Sequence, residues 1–393
     1  VGNDAVQLSS LQPLVEALHA DGYRVVGPTV RDGTIVLAEL STADELPYGW
    51  GAEVGPGGYR LRRREDQAAF GHASGPQSWK SYLHPPREQL LSVRREPGGD
   101  LTVSEPRTEP PRYAFLGVRP CDLRAIAIQD RVLGRGADSR YAARRAGALL
   151  IAVNCTEPGA TCFCASAGTG PAAQDGYDLV LTELVDADGS PRYLAAAGTG
   201  AGKELLAAIP SDPADPEQLA TGRAAVEAAA GRMSRSLPEA DLHTLLAGAH
   251  QSPRWDDIAE RCLTCGNCTM VCPTCFCTTV EDTTDLTGAL SGAGANGGAG
   301  AKATDLAYEN AQRWERWTSC FDLDYSYLHG GPVRASGSSR YRQWLTHKFG
   351  TWHDQFGESG CVGCGRCIVW CPVGIDVTEE LHALAEPEEA TTT

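Results

Sequence analysis

Two copies of one cysteine pattern constrain this chain more than any other feature. Cys262, Cys265, Cys268 and Cys272 are followed by Pro273, and Cys361, Cys364, Cys367 and Cys371 by Pro372. Each copy sets three thiols on one short loop and a fourth just before a proline. The chain has 15 cysteines in 393 residues, an odd number, and Val1 to Ser10 lacks a charged start followed by an apolar block. No export signal is therefore expected. Disulfides are disfavoured in a reducing compartment, and clustered cysteines there point to metal.

Three thiolates on one tight loop reach three corners of a cubane, while a fourth at the start of a turn points away. Both runs match the dicluster 4Fe–4S pattern, in which the fourth cysteine ligates the other cluster. The expected pairing is crossed. Cys262, Cys265, Cys268 and Cys371 hold cluster 1, and Cys361, Cys364, Cys367 and Cys272 hold cluster 2. Gly266, Gly363 and Gly365 would let the backbone curl around the inorganic core and aim N–H groups at the sulfurs. Zinc is the rival reading, but zinc usually takes two separated pairs of ligands. Cys275, Cys277 and Cys320 are left over. Burial beside a cluster is the plain reading for them; an alternative ligand or a redox thiol is the sharper one.

The connection between the motifs is far longer than in a small β-rich ferredoxin. Leu306–Trp317 and Ser339–Phe349 read as helical, which favours a helical dicluster ferredoxin-like domain over residues 251–393. A flexible Gly/Ala-rich loop is expected at 285–304 and a frayed tail over Glu386–Thr393. Trp314, Trp317, Trp344 and Trp352 would shield the clusters from water.

Residues 1–250 read as an α/β domain. Leu11–Leu18 is apolar at helical spacing, and Tyr23–Val26 and Thr34–Leu37 are short strands around a turn at Asp32–Gly33. Phe115–Val118, Leu149–Val153 and Leu179–Val185 read as buried strands, with a helix from Asp122 as N-cap and more helix over 216–248. This half has four cysteines: Cys121, Cys155, Cys162 and Cys164. Cys121 and Cys155 each follow a strand, and the ends of parallel strands converge on one edge of a sheet. A third 4Fe–4S cluster is expected there. Buried structural cysteines, or a redox dithiol at Cys162 and Cys164, are the alternatives, because one-residue spacing strains a cubane.

Composition removes other classes. The net charge is −16, and no Lys/Arg stripe appears, so nucleic acid is not an expected partner. Basic residues are nearly all Arg, with lysine only at Lys80, Lys203, Lys302 and Lys348, a bias read as genomic. No apolar run is long enough for a membrane span. Gly198-Thr199-Gly200-Ala201-Gly202-Lys203-Glu204 fails the phosphate-loop template, since Glu204 stands where Ser or Thr would hold magnesium. No dinucleotide fingerprint and no haem-attachment motif occurs. His84, His329, His347 and His353 read as packing or surface residues.

Beyond the cysteines, several pieces run along most of the chain. They are Gly27-Pro28-Thr29-Val30-Arg31-Asp32-Gly33, Gly75-Pro76-Gln77-Ser78-Trp79-Lys80, Arg119-Pro120-Cys121-Asp122-Leu123-Arg124, Cys155 with Cys162-Phe163-Cys164, Cys272-Pro273-Thr274-Cys275-Phe276-Cys277, Arg340-Tyr341-Arg342, His347-Lys348-Phe349, and the Cys361–Cys367 loop. With these the chain resembles the β (iron–sulfur) subunit of cytoplasmic NAD(P)-linked nickel–iron hydrogenases, the sulfhydrogenases. It also resembles a related protein, the electron-input subunit of anaerobic sulfite reductase. The resemblance implies a cytoplasmic hetero-oligomer and no catalytic residue on this chain. Single electrons would pass between the small and large hydrogenase subunits and a flavin/NAD(P)-binding subunit. Service as the electron-input subunit of a sulfite or sulfur reductase is the alternative. A stand-alone ferredoxin or iron–sulfur sensor is a third, which the long N-terminal half argues against.

Overall fold

Strands built from Val, Ile and Leu need cover on both faces, and the central strands here have it. The computed structural model describes residues 5–96, 99–106, 109–134, 139–284 and 310–386. The Gly/Ala-rich stretch 285–304 and tail residues 387–393 lie outside the described residues. Packing divides the chain into two compact units, one of residues 1–83, 110–275 and 320–393 and the other of 84–109 and 276–319.

The first unit contains a sheet in the order Asp212–Pro213, Val6–Leu8, Pro191–Ala197, Leu179–Val185, Leu149–Val153, Tyr113–Val118, Arg24–Arg31, Thr34–Glu39. The four strands from Leu179–Val185 to Arg24–Arg31 pair in parallel, and the flanking pairs are antiparallel. Successive side chains go to opposite faces. Leu116, Ile151 and Leu181 join a core with Leu14 and Leu18 of the helix Gln12–Ala20. Phe115, Leu150 and Val180 join another with Leu123 and Ile126 of the helix Pro120–Leu133. Asp32 and Gly33 both take positive φ, 48° and 71°, as the tight turn of a hairpin requires. The helix at Cys121 starts earlier than the sequence suggests. Arg119 is its N-cap and Pro120 its first residue, because proline's fixed φ suits that position. Asp122 is buried instead.

In the same unit, the helices Arg254–Arg261, Gly337–Thr346 and Val377–Ala385 surround a core of Trp255, Ile258, Phe321, Tyr341, Trp344, Phe349, Ile368 and Leu381. Phe163, from the loop after the Leu149–Val153 strand, is part of that core and is fully buried. Glu380 is buried and accepts 2.7 Å hydrogen bonds from Arg254 and Arg261. That supplies the partners a buried carboxylate needs.

The second unit is a four-stranded antiparallel sheet in the order Thr278–Thr284, Asn310–Trp317, Arg87–Arg95, Leu101–Ser104. Asn310–Trp317 is thus a strand, not the helix expected over 306–317. Its neighbour Thr278–Thr284 is rich in β-branched Thr and Val, and cross-strand pairs such as Arg313–Asp282 and Arg316–Glu281 close the ladder. Pairing context outweighs weak helix propensity. Trp314 lies in this sheet under the Arg87 guanidinium, 4.0 Å from its ring centroid. Trp317 donates to the carbonyl of His84.

Candidate metal centres

The two motifs build the same local shape. In each, a glycine in the left-handed region caps a short helix that carries the third cysteine. Gly266 (φ 75°) precedes Asn267–Met270, and Gly365 (φ 72°) precedes Arg366–Val369. Backbone N–H groups turn inward to sulfur: Thr264 to Cys262 at 3.4 Å, Gly363 to Cys361 at 3.4 Å, and Ile375 to Cys371 at 3.3 Å.

The crossed thiol sets line two cavities. One is bounded by Cys262, Cys265, Cys268 and Cys371, with Phe321, Tyr341 and Trp344. The other is bounded by Cys272, Cys361 and Cys364, with Phe163, Lys348 and Phe349. Cys367 and Trp344 touch both. Of the four tryptophans expected to shield clusters, Trp344 lies at these cavities and Trp352 lies beside Lys348. Trp314 and Trp317 belong to the second unit. The thiols ring these spaces rather than closing on a point. Among the described residues no three His, Cys, Asp or Glu side chains are grouped to hold a metal ion directly.

The electrostatics fit a strongly positive core. Burial, then the neighbouring thiols, drive Cys268 and Cys367 well above the usual thiol range. Burial pushes Cys361 up to about 12. An array of buried thiols keeps its protons until a metal displaces them. Cys272 goes the other way: a hydrogen bond with Cys275, helped by the Lys348 ammonium, outweighs burial and holds it well below that range.

Cys121, Cys155, Cys162 and Cys164 also come together. Burial, then Cys155 and Cys364, push Cys162 up to about 12. Burial, then Cys162 and Cys155, raise Cys164. Burial, then Asp122, Cys164 and Cys364, raise Cys121. Their loop rests directly on the second motif. Phe163 N–H donates to Gly363 O at 2.9 Å, and Cys162 Sγ lies 3.8 Å from Cys364 O. A Cβ at Gly363 would meet the Cys164 backbone at 2.7 Å, and one at Gly365 would meet Thr161 O at 2.3 Å. These glycines therefore answer to the packed loop as well as to the curl of their own motif.

Sequence reasoning missed the charged groups here. Arg366 makes a two-pronged bond to Asp122 at 2.8 and 3.0 Å, with both side chains 3% exposed. Lys348 and Lys80 are buried, and Lys80 Nζ donates to the carbonyl of Cys275 at 3.0 Å. A signal was present. In a chain that uses Arg almost everywhere, two of its few lysines sit beside the Cys272–Cys275 turn. Of the leftover cysteines, Cys275 is buried, while Cys277 and Cys320 are half-buried.

A family model described as a 4Fe-4S dicluster domain matches residues 261–293 and 300–375. The chain is also similar to the sulfhydrogenase 2 subunit beta of Pyrococcus furiosus, 29% identical over 370 residues, which is 92% of each chain. No solved structure matches it. The C-terminal part is thus a 4Fe–4S dicluster domain. The similarity to a hydrogenase β subunit extends further, through the N-terminal half that the dicluster match does not cover.

Proposed function

We propose that this chain is the iron–sulfur subunit of a cytoplasmic hydrogenase complex, relaying single electrons between the small and large hydrogenase subunits and a flavin/NAD(P)-binding subunit. Clusters of this type, when bound, supply one-electron storage at potentials set by their surroundings. The chain's own part is to hold, shield and tune them. In this reading, Cys262, Cys265, Cys268 and Cys371 hold cluster 1. Cys361, Cys364, Cys367 and Cys272 hold cluster 2 within a helical dicluster domain over 251–393. Cys121, Cys155, Cys162 and Cys164 hold a third cluster in the α/β domain over 1–250. Trp344 and Tyr341 keep water from the inner walls, and backbone N–H groups steady the sulfurs.

The observation that carries the reading is that each crossed set of four thiols lines a single cavity. The third set's contact with the Cys361–Gly365 loop supports a continuous path. Among the described residues no helix is long and apolar enough to cross a membrane. The test is anaerobic purification of the complex from its native cell with metal analysis. Nickel in the complex is expected; sirohaem in its place would overturn the hydrogenase assignment. About twelve irons per chain are expected, and Cys155→Ser should remove about four. Unchanged iron would remove the third cluster.

A further inference from the structure

Lys348 is 3% exposed, and long cationic side chains are almost never so buried without a charged partner. It projects from a π-helical turn, His347–Thr351, a backbone irregularity frequent at functional sites. Its carbonyl is pinned by Gly360 N–H at 2.8 Å. Its ammonium donates to Thr274 Oγ1 at 2.6 Å and Gly360 O at 3.3 Å, and lies 4.7 Å from the centre of the Trp352 ring. Thr274 Oγ1 in turn is 3.2 Å from Cys272 Sγ. Among the described residues no carboxylate pairs with Lys348. Burial pulls its ammonium down, and Cys272, Cys275 and Cys361 together more than restore it. The negative charge that balances this cation is therefore the thiolates of one cluster site.

The other site has a different arrangement. The cation acting on Cys262 is Arg340, a half-buried side chain that donates to the carbonyls of Phe321 and Ala335. The nearby buried acid, Glu380, is already paired with two arginines.

Resting on the reading above, we infer that Lys348 is a tuning residue for cluster 2, a fixed buried cation that raises its reduction potential. One-electron reduction adds one negative charge to the thiolate-bound group. The ammonium, held behind Thr274 in a site of low dielectric, interacts more favourably with the reduced form than with the oxidised one. No proton need move, and the electron comes from the external reductant or the partner protein.

The test is a dithionite titration of the anaerobically purified full chain, followed by electron paramagnetic resonance. In Lys348→Met the equilibrium constant for reducing one cluster should fall at least tenfold, which for one electron is about 59 mV downward. The other cluster signals should stay in place. Lys348→Arg should keep the wild-type value, and so should Lys203→Met on the surface. If Lys348→Met loses iron, Lys348→Gln keeps a donor for Thr274 without the charge and must show the same downward shift. Retention of iron by the Arg variant alone would also mark charge as what the site needs. Unshifted potentials in an iron-replete Met or Gln variant would overturn the inference, as would equal iron loss in all three variants. A wild-type chain without clusters would instead defeat the functional reading itself.

Discussion

Thr264 and Gly363 occupy the same place in the two cysteine motifs and share a left-handed backbone, φ 51° and 63°. One is β-branched and the other is glycine, although the conformation strongly disfavours β-branched residues. The surroundings explain the difference. Gly363 lies under the Cys162–Cys164 loop, where no Cβ fits. Thr264 stands beside Cys265 and Leu263, which are exposed, Leu263 at 61%. The next helix repeats the contrast. Asn267 is exposed and bonds only the carbonyl of Trp370. Arg366, one residue after the equivalent glycine, is buried against Asp122. The second motif is thus an inner site locked to the N-terminal half, and the first has an outward edge. One ligand pattern is used for two tasks, and the residues between the cysteines decide which.

The comparison breaks most visibly at the matched pair itself. Gly363→Thr should cost at least about 4 kcal/mol of stability, or prevent folding, since strain adds to a backbone clash. Thr264→Gly should stay within about 1 kcal/mol, because relief of strain offsets glycine's added chain entropy. Denaturant unfolding under anaerobic conditions measures both. Next, Asp122→Ala leaves Arg366 buried without its partner and should cost about 3–5 kcal/mol. The counterpart Asn267→Ala should change stability by less than about 0.5 kcal/mol. A smaller difference concerns access. On timed exposure to an iron chelator, site 1 should lose its metal first, because Cys265 is exposed while burial holds Cys361 and Cys364 inside. The decay of the two resonance signals, assigned with Cys265→Ser, checks the order. Simultaneous loss would show that the outward edge has no consequence.

Much of this was legible in residues 1–260, where short apolar runs marked the strands Tyr113–Val118, Leu149–Val153 and Leu179–Val185 and so put Cys121 and Cys155 at one sheet edge. The cysteine spacing likewise anticipated which thiols line which cavity. Three things were not legible, each because its cause lies far away in sequence. Asn310–Trp317 carries no strong strand pattern of its own and takes its form from Thr278–Thr284 and Arg87–Arg95. Asp122 looks like a helix cap, yet its partner is Arg366. Lys348 looks like one more surface cation until the π-helical turn directs it toward Thr274.

The most direct test of the account is the metal itself. Chain purified without oxygen should hold iron and acid-labile sulfide in equal amounts, about eight of each or more, and give paramagnetic signals on reduction with dithionite. Zinc without labile sulfide, in a preparation silent after reduction, would contradict the account at its foundation.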